Sequence, residues 1–244
     1  MSEDTEPIEE QNVQPDSNEK SEADNQEAMK NRFKLIDGEE VLHVKQPSGV
    51  GFLNMYVLGL LVFGVHIIFW KPDMLVDDES GGIAKAIVWV MELGGSKLPF
   101  GFVLVMATIT WFNRMLNSST SGKWVTVWLL IATLLPVLIQ IDGLIALIRD
   151  LFSDADVEPF LGFEYNFLIA GIVLTLAFWG LIFYYQRSFD YAITSNAVIF
   201  KHAFLLSRAH RRILFDRISE VQVERTPIGT MTGYATLTIL TDSG

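Results

Sequence analysis

The chain has 244 residues, half of them hydrophobic, and a formal net charge of −11. It has no cysteine, which excludes disulfides, thiolate metal sites and a cysteine nucleophile. The positive mean hydropathy of +0.32 points to an integral membrane protein, and the charge does not imply an acidic surface, because residues 1–29 hold ten Asp and Glu against one Lys, a balance of −9 that leaves −2 for the rest.

Residues 1–29 contain almost no large apolar side chain, so they cannot bury enough surface to offset their ordering entropy. They read as a disordered acidic tail, whose deletion is expected to leave stability unchanged. The tail lacks the basic start and apolar core of a signal peptide. Residues 30–49 read as a juxtamembrane strap, with a short strand at Glu40–Val44 between the breaks at Gly38 and Pro47. Lys30, Arg32 and Lys34 there either touch anionic headgroups or only set topology.

Four apolar segments follow, at about 50–70, 98–113, 124–141 and 166–185. A helix rises about 1.5 Å per residue, so twenty uncharged residues cover roughly 30 Å, the thickness of a bilayer core. They predict four transmembrane helices in a region 50–186. The second segment is short for a crossing, and Pro136 is expected to kink the third. His66 lies near the end of the first. No second His, Asp or Glu in the spans offers it a partner, so it reads as solvated or hydrogen-bonded near an interface. Between the spans, residues 71–97 carry Asp73, Asp77, Asp78 and Glu79 and an interfacial helix over 83–95. A short amphipathic piece lies at 143–152. The turn at 113–123 has Arg114 and Lys123 and no acid, and residues 187–244 hold seven Lys and Arg. The positive-inside rule then places both termini in the cytoplasm of a plasma-membrane protein.

No Asp, Glu, Lys or Arg falls inside the spans. Ion pathways and proton relays need such groups at depth. The bundle therefore reads as an anchor or assembly surface; the alternatives are a small-solute transporter or permease component and, more remotely, an intramembrane enzyme. Thr110, Thr133 and similar residues are expected to bond within or between helices.

After Tyr185 the pattern changes from period 3.6 to period two. Short strands are expected at 189–193, 197–203, 205–210, 211–215, 219–224 and 234–240, with turns at Thr194–Asn196 and Thr226–Gly229. This spacing suggests a small sandwich or barrel over 187–244. Arg208, His210, Arg211 and Arg212 form a basic cluster. Arg208, Arg211 and Arg212 are the candidate lipid-binding residues, against the alternative of a basic face kept by topology. His202 and His210 lack ligand-like spacing, and no catalytic motif occurs. No metal, cofactor, nucleic acid or enzymatic activity is expected. The expected partners are membrane lipids and either another protein or a second copy of the chain.

The stretch FDYAITSNAVIFKHAFLLSRAHRRILFDRISEVQVERTPIGTMTGYATLTI resembles the bacterial pleckstrin-homology-like domain of YdbS-like membrane proteins. The resemblance rests on Tyr191 and Thr194, on Val198–Lys201, on Ile218 and Val221, and on Gly229–Tyr234 before a Thr/Ile strand. The upstream LIDGEEVLHVKQPS is similar to the family's lead-in before its first span. Ala203 and Ala235 stand where the family has Gly. The resemblance implies a seven-stranded sandwich closed by a C-terminal helix. About six strands fit before Gly244, so the domain is expected to be incomplete at its C-terminus. A cytosolic binding or assembly module held by four membrane helices is the expectation.

Overall fold

A computed structural model describes residues 17–72, 81–93, 98–116, 122–152 and 163–242. The chain divides into two compact units, Gly49–Tyr185 and a discontinuous one made of Met1–Ser48 with Gln186–Gly244.

The chain opens with helix α1 (Ser17–Phe33), followed by strand β1 (Val41–Lys45). Of the acidic tail expected over 1–29, residues 1–16 lie outside the described residues, and from Ser17 the chain is helical. Local propensity supports this, since EAMKNRF contains strong helix formers. Met29 and Phe33, one turn apart, share a face. Phe33 is fully buried with Ala192 and Ile199, and Met29, Leu35, Val41 and Val44 pack around them. Burying a Phe contributes about 2–3 kcal/mol. The acidic average of the segment concealed one anchor, Met29, which packs on the core that Phe33 closes just beyond it. The strap is likewise a structural strand, one residue displaced from the expected 40–44.

The helical unit holds α2 (Leu53–Trp70), α3 (Gly82–Met91), α4 (Phe100–Leu116), α5 (Gly122–Ile139), α6 (Ile141–Phe152) and most of α7 (Phe167–Arg187). The four expected spans are thus four apolar helices. Two, Gly49–Trp70 and Phe167–Arg187, are long and apolar enough to cross a membrane; Phe100–Met115 and Lys123–Ile139 are apolar but shorter. Pro136 lies inside α5, which continues to Ile139. The interfacial helix expected over 83–95 is α3, with residues 94–97 outside the described residues.

Helices α2 and α7 meet at two glycines. A Cβ at Gly59 would sit 2.6 Å from Trp179 Nε1, and one at Gly171 would sit 2.6 Å from His66 Cβ. Small residues permit this approach, as they do between helices in membranes. Thr110 and Thr133 donate to the carbonyls of Met106 and Leu129, four residues back, at 2.8 and 2.7 Å. Of the two readings of His66, solvated or hydrogen-bonded, the second holds: the ring is fully buried and bonded. Its Nδ1 lies 2.8 Å from the Val62 carbonyl and its Nε2 3.1 Å from the Tyr165 hydroxyl. That partner is a residue just before the last apolar segment, so a search confined to ionisable groups inside the spans could not find it.

The remaining elements are β2 (Phe189–Thr194), β3 (Ala197–Phe204), β4 (Ser207–Leu214), β5 (Ile218–Glu224), α8 (Pro227–Thr232) and β6 (Thr236–Thr241). They form an antiparallel sheet in the order β1-β2-β3-β4 and a two-stranded hairpin, β5-β6. The strands expected at 205–210 and 211–215 are one strand, β4, and Leu205–Leu206 is the turn before it. The turn expected at 226–229 opens α8, whose first turn is capped by Thr226 Oγ1 accepting from Gly229 N at 3.0 Å.

Candidate functional site

The candidate arginines all lie on β4, an edge of the four-stranded sheet. Side chains alternate along a strand with period two. Arg212 is opposite Ile199 and Arg208 opposite Ala203, on the face that α1 covers; Arg211 is opposite Phe200, on the other face. The three arginines expected to act as one cluster are therefore divided between two faces.

Arg212 is already engaged. Its Nη2 lies 2.7 Å from Glu39 Oε2, with the two side chains 19% and 1% exposed. Glu39 also accepts from Ile36 N at 3.2 Å and from the Thr194 hydroxyl. Thr194 Oγ1 in turn accepts from Ala197 N at 3.0 Å, closing the β2–β3 turn. Burial by itself would raise the Glu39 carboxyl, but the bonds from Thr194 and Ile36 and the Arg212 guanidinium outweigh it and hold the carboxyl below its usual range. The Gly-Glu-Glu lead-in and the Thr of the Tyr-x-Ile-Thr motif thus meet in one network.

Two other basic residues of this face also have structural partners. Lys201 Nζ donates to the Arg32 carbonyl at 3.0 Å, and His210 Nε2 lies 3.2 Å from the Phe33 carbonyl. These are terminal carbonyls of α1, which its own backbone leaves unpaired. Arg32 Nη2 bonds Asp190 Oδ1 at 2.6 Å, and Gln46 Nε2 donates to the same oxygen at 3.3 Å. Burial opposes ionisation of Asp190, yet Arg32, Gln46 and Lys201 leave its carboxyl below the usual range. Lys30 pairs with Asp37 at 2.6 Å on the surface. Lys30 and Arg32, read in the sequence as headgroup or topology signals, are ion-paired within the sheet unit.

Arg208 and Arg211 are the exposed pair. Arg208 stands next to a turn that the sequence pattern does not announce. Phe204 opposite Ser207 closes a two-residue turn of Leu205 and Leu206. Leu206 is fully exposed and Leu205 is 62% exposed. Leu205 has φ +47°, the left-handed region that a branched apolar residue seldom adopts. A hairpin turn normally announces itself with Gly, Asn or Asp. Leu-Leu carries no such signal, so the sequence alone predicts strand there. On the far face of the sheet, Phe189 stacks on His202 at 4.2 Å and Tyr191 meets Phe200 edge-on at 5.4 Å. Among the described residues, no group of three or more His, Asp or Glu could hold a metal ion.

The family profile described as Bacterial PH domain matches residues 102–244. The match starts inside α4 and runs through β6, so α1 and β1, which complete the sheet and its core, precede it. No curated protein and no solved structure matches the chain. The profile covers more than half of the sequence, and the chain belongs to the bacterial PH domain family.

Proposed function

We propose that this is a non-enzymatic, multi-pass plasma-membrane protein that presents a cytosolic PH-like binding and assembly module. In this reading the module contacts an anionic lipid surface through Arg208 and Arg211, with both chain termini in the cytoplasm. The observation that carries it is the β3–β4 tip, where two exposed leucines are followed along β4 by the exposed Arg208 and, farther along on the other face, the exposed Arg211. An apolar pair enters the headgroup boundary, while each nearby cation gains about 1 kcal/mol from the negative surface. Leu205 holds a costly backbone conformation at the tip, as residues at ligand contacts often do. Arg212 supports the module by holding Glu39 and is mostly buried. Only Ser188 separates α7 from β2 along the chain.

The absence of cysteine allows a clean test. A polarity-sensitive fluorophore on Leu206→Cys is placed in the full chain, reconstituted in vesicles with and without anionic lipid. The probe should report an apolar setting only with anionic lipid, and salt or a paired Arg208→Gln, Arg211→Gln change should reverse it. A probe equally wet in both vesicles sinks the lipid reading.

A further inference from the structure

Strand β1 is the other edge of the four-stranded sheet, paired on one side with β2. Beside it runs a groove of about 650 Å³ between the strand and α1, lined by Met29, Leu35, Ile36, Val41, Leu42 and Val44 among others. Ile36 and Leu42 are 60% and 57% exposed. An open edge flanked by apolar side chains is a template for another strand.

We propose that the occupant is β1 of a second copy of this chain. The two strands pair antiparallel about a two-fold axis, with Glu40 opposite Lys45, Val41 opposite Val44 and Leu42 opposite His43 of the second copy. Read antiparallel to itself, Glu-Val-Leu-His-Val-Lys sets acid against base at each end and valine against valine inside them.

The bulge makes this register possible. A two-fold axis normal to the sheet keeps every residue on its own face, so directly opposed residues must share a face. In a regular strand Val41 and Val44, three residues apart, would not. In β1 the pairing shifts between Val41 and His43. Val41 then lies opposite Thr194 and Val44 opposite Ala192, and both valines pack on the Phe33 core. His43 and Lys45 lie opposite Ile193 and Tyr191, on the other face. Glu40, adjacent to Val41, falls with them. The Glu40–Lys45 and Val41–Val44 pairs of the proposed ladder are thus face-matched, with Leu42 as the extra residue of the bulge. A bulge ordinarily blunts an edge against foreign strands. Here the two copies carry it at the same level across the axis, so it selects for self. The β4 edge cannot pair with itself as well, because Arg208, Arg211 and Arg212 would bring like charges together.

The test uses the full chain in detergent micelles and in nanodiscs. Differently tagged Leu42→Cys and His43→Cys copies are mixed and oxidised; mixed disulfide dimers should exceed those of either copy alone. Glu40→Lys alone, or Lys45→Glu alone, should weaken dimerisation about tenfold, since each places two like-charge pairs across the axis. The double change, or a mixture of the two single variants, should restore it. Thermal melts of each variant check that the fold is intact. A chain that stays monomeric, or a dimer whose strength ignores these charges, overturns the proposal. Neither readout depends on anionic lipid, so this interface and the lipid contact fail separately.

Discussion

The four-stranded sheet and the β5-β6 hairpin begin from the same alternating pattern of β-branched and polar residues, and they reach different ends. In the sheet, Ala192, Ala197 and Ile199 are fully buried, Phe33 closes over two of them, and Glu39 and Arg212 tie the N-terminal segment to β4. In the hairpin, Val221, Val223, Leu237 and Leu240 are between 41% and 56% exposed. Two strands without a covered face are marginal by themselves. Strand pattern therefore forms the ladder, and cover from another element makes it a core.

Breaking that cover should have the largest effect. Phe33→Ala removes the buried ring and should cost about 3–5 kcal/mol. Hydrogen exchange of the β2 and β3 amides in the full chain is the readout. If their protection survives, α1 does not stabilise the sheet.

Next comes the ion pair. Glu39→Ala leaves the mostly buried Arg212 unpaired and should cost about 3 kcal/mol in the same assay. Arg212→Met with Glu39→Leu replaces both partners and should recover much of this. A double variant as weak as the single one would locate the effect elsewhere.

Acid should attack the sheet in the same place. Glu39 and Asp190 have folded pKa values below their unfolded ones, so they bind fewer protons when folded. Their contribution is fully present above the ordinary carboxylate range and is lost as pH falls through about 4 and below. Burial lowers His202 as well, which adds an earlier decline below about pH 6.5. Melting curves from pH 7 to pH 4 should fall monotonically, and Glu39→Gln should flatten the acid limb. Stabilisation on acidification would contradict the assignment.

Smaller still is the cap on α1. Lys201→Gln removes the charged donor to the Arg32 carbonyl and should cost about 0.5–1 kcal/mol. On the hairpin, Val223→Thr or Leu237→Thr should change stability by no more than about 0.5 kcal/mol. A larger loss there would mean that the hairpin is covered in the working protein.

In the acidic N-terminus composition averages over a segment, while anchoring depends on a single residue, Met29, and on Phe33 one turn beyond the segment. The basic cluster was legible as charge, but its division between two faces was not. Alternation along β4 separates Arg211 from Arg208 and Arg212, yet only the register and Glu39 decide that Arg212 is spent on structure. The leucine tip had no turn signal to betray it.

By itself the sequence determined the apolar helices, the change of period after Tyr185, most strand positions and the family resemblance, because hydrophobic periodicity and motif spacing are local. Tertiary structure alone decided that α1 and β1, which precede the helical unit, complete a sheet whose other strands follow it. It also supplied Tyr165 to His66 and Glu39 to Arg212. Such contacts join residues far apart in the chain, and burial and hydrogen-bond partners are settled only when distant segments meet.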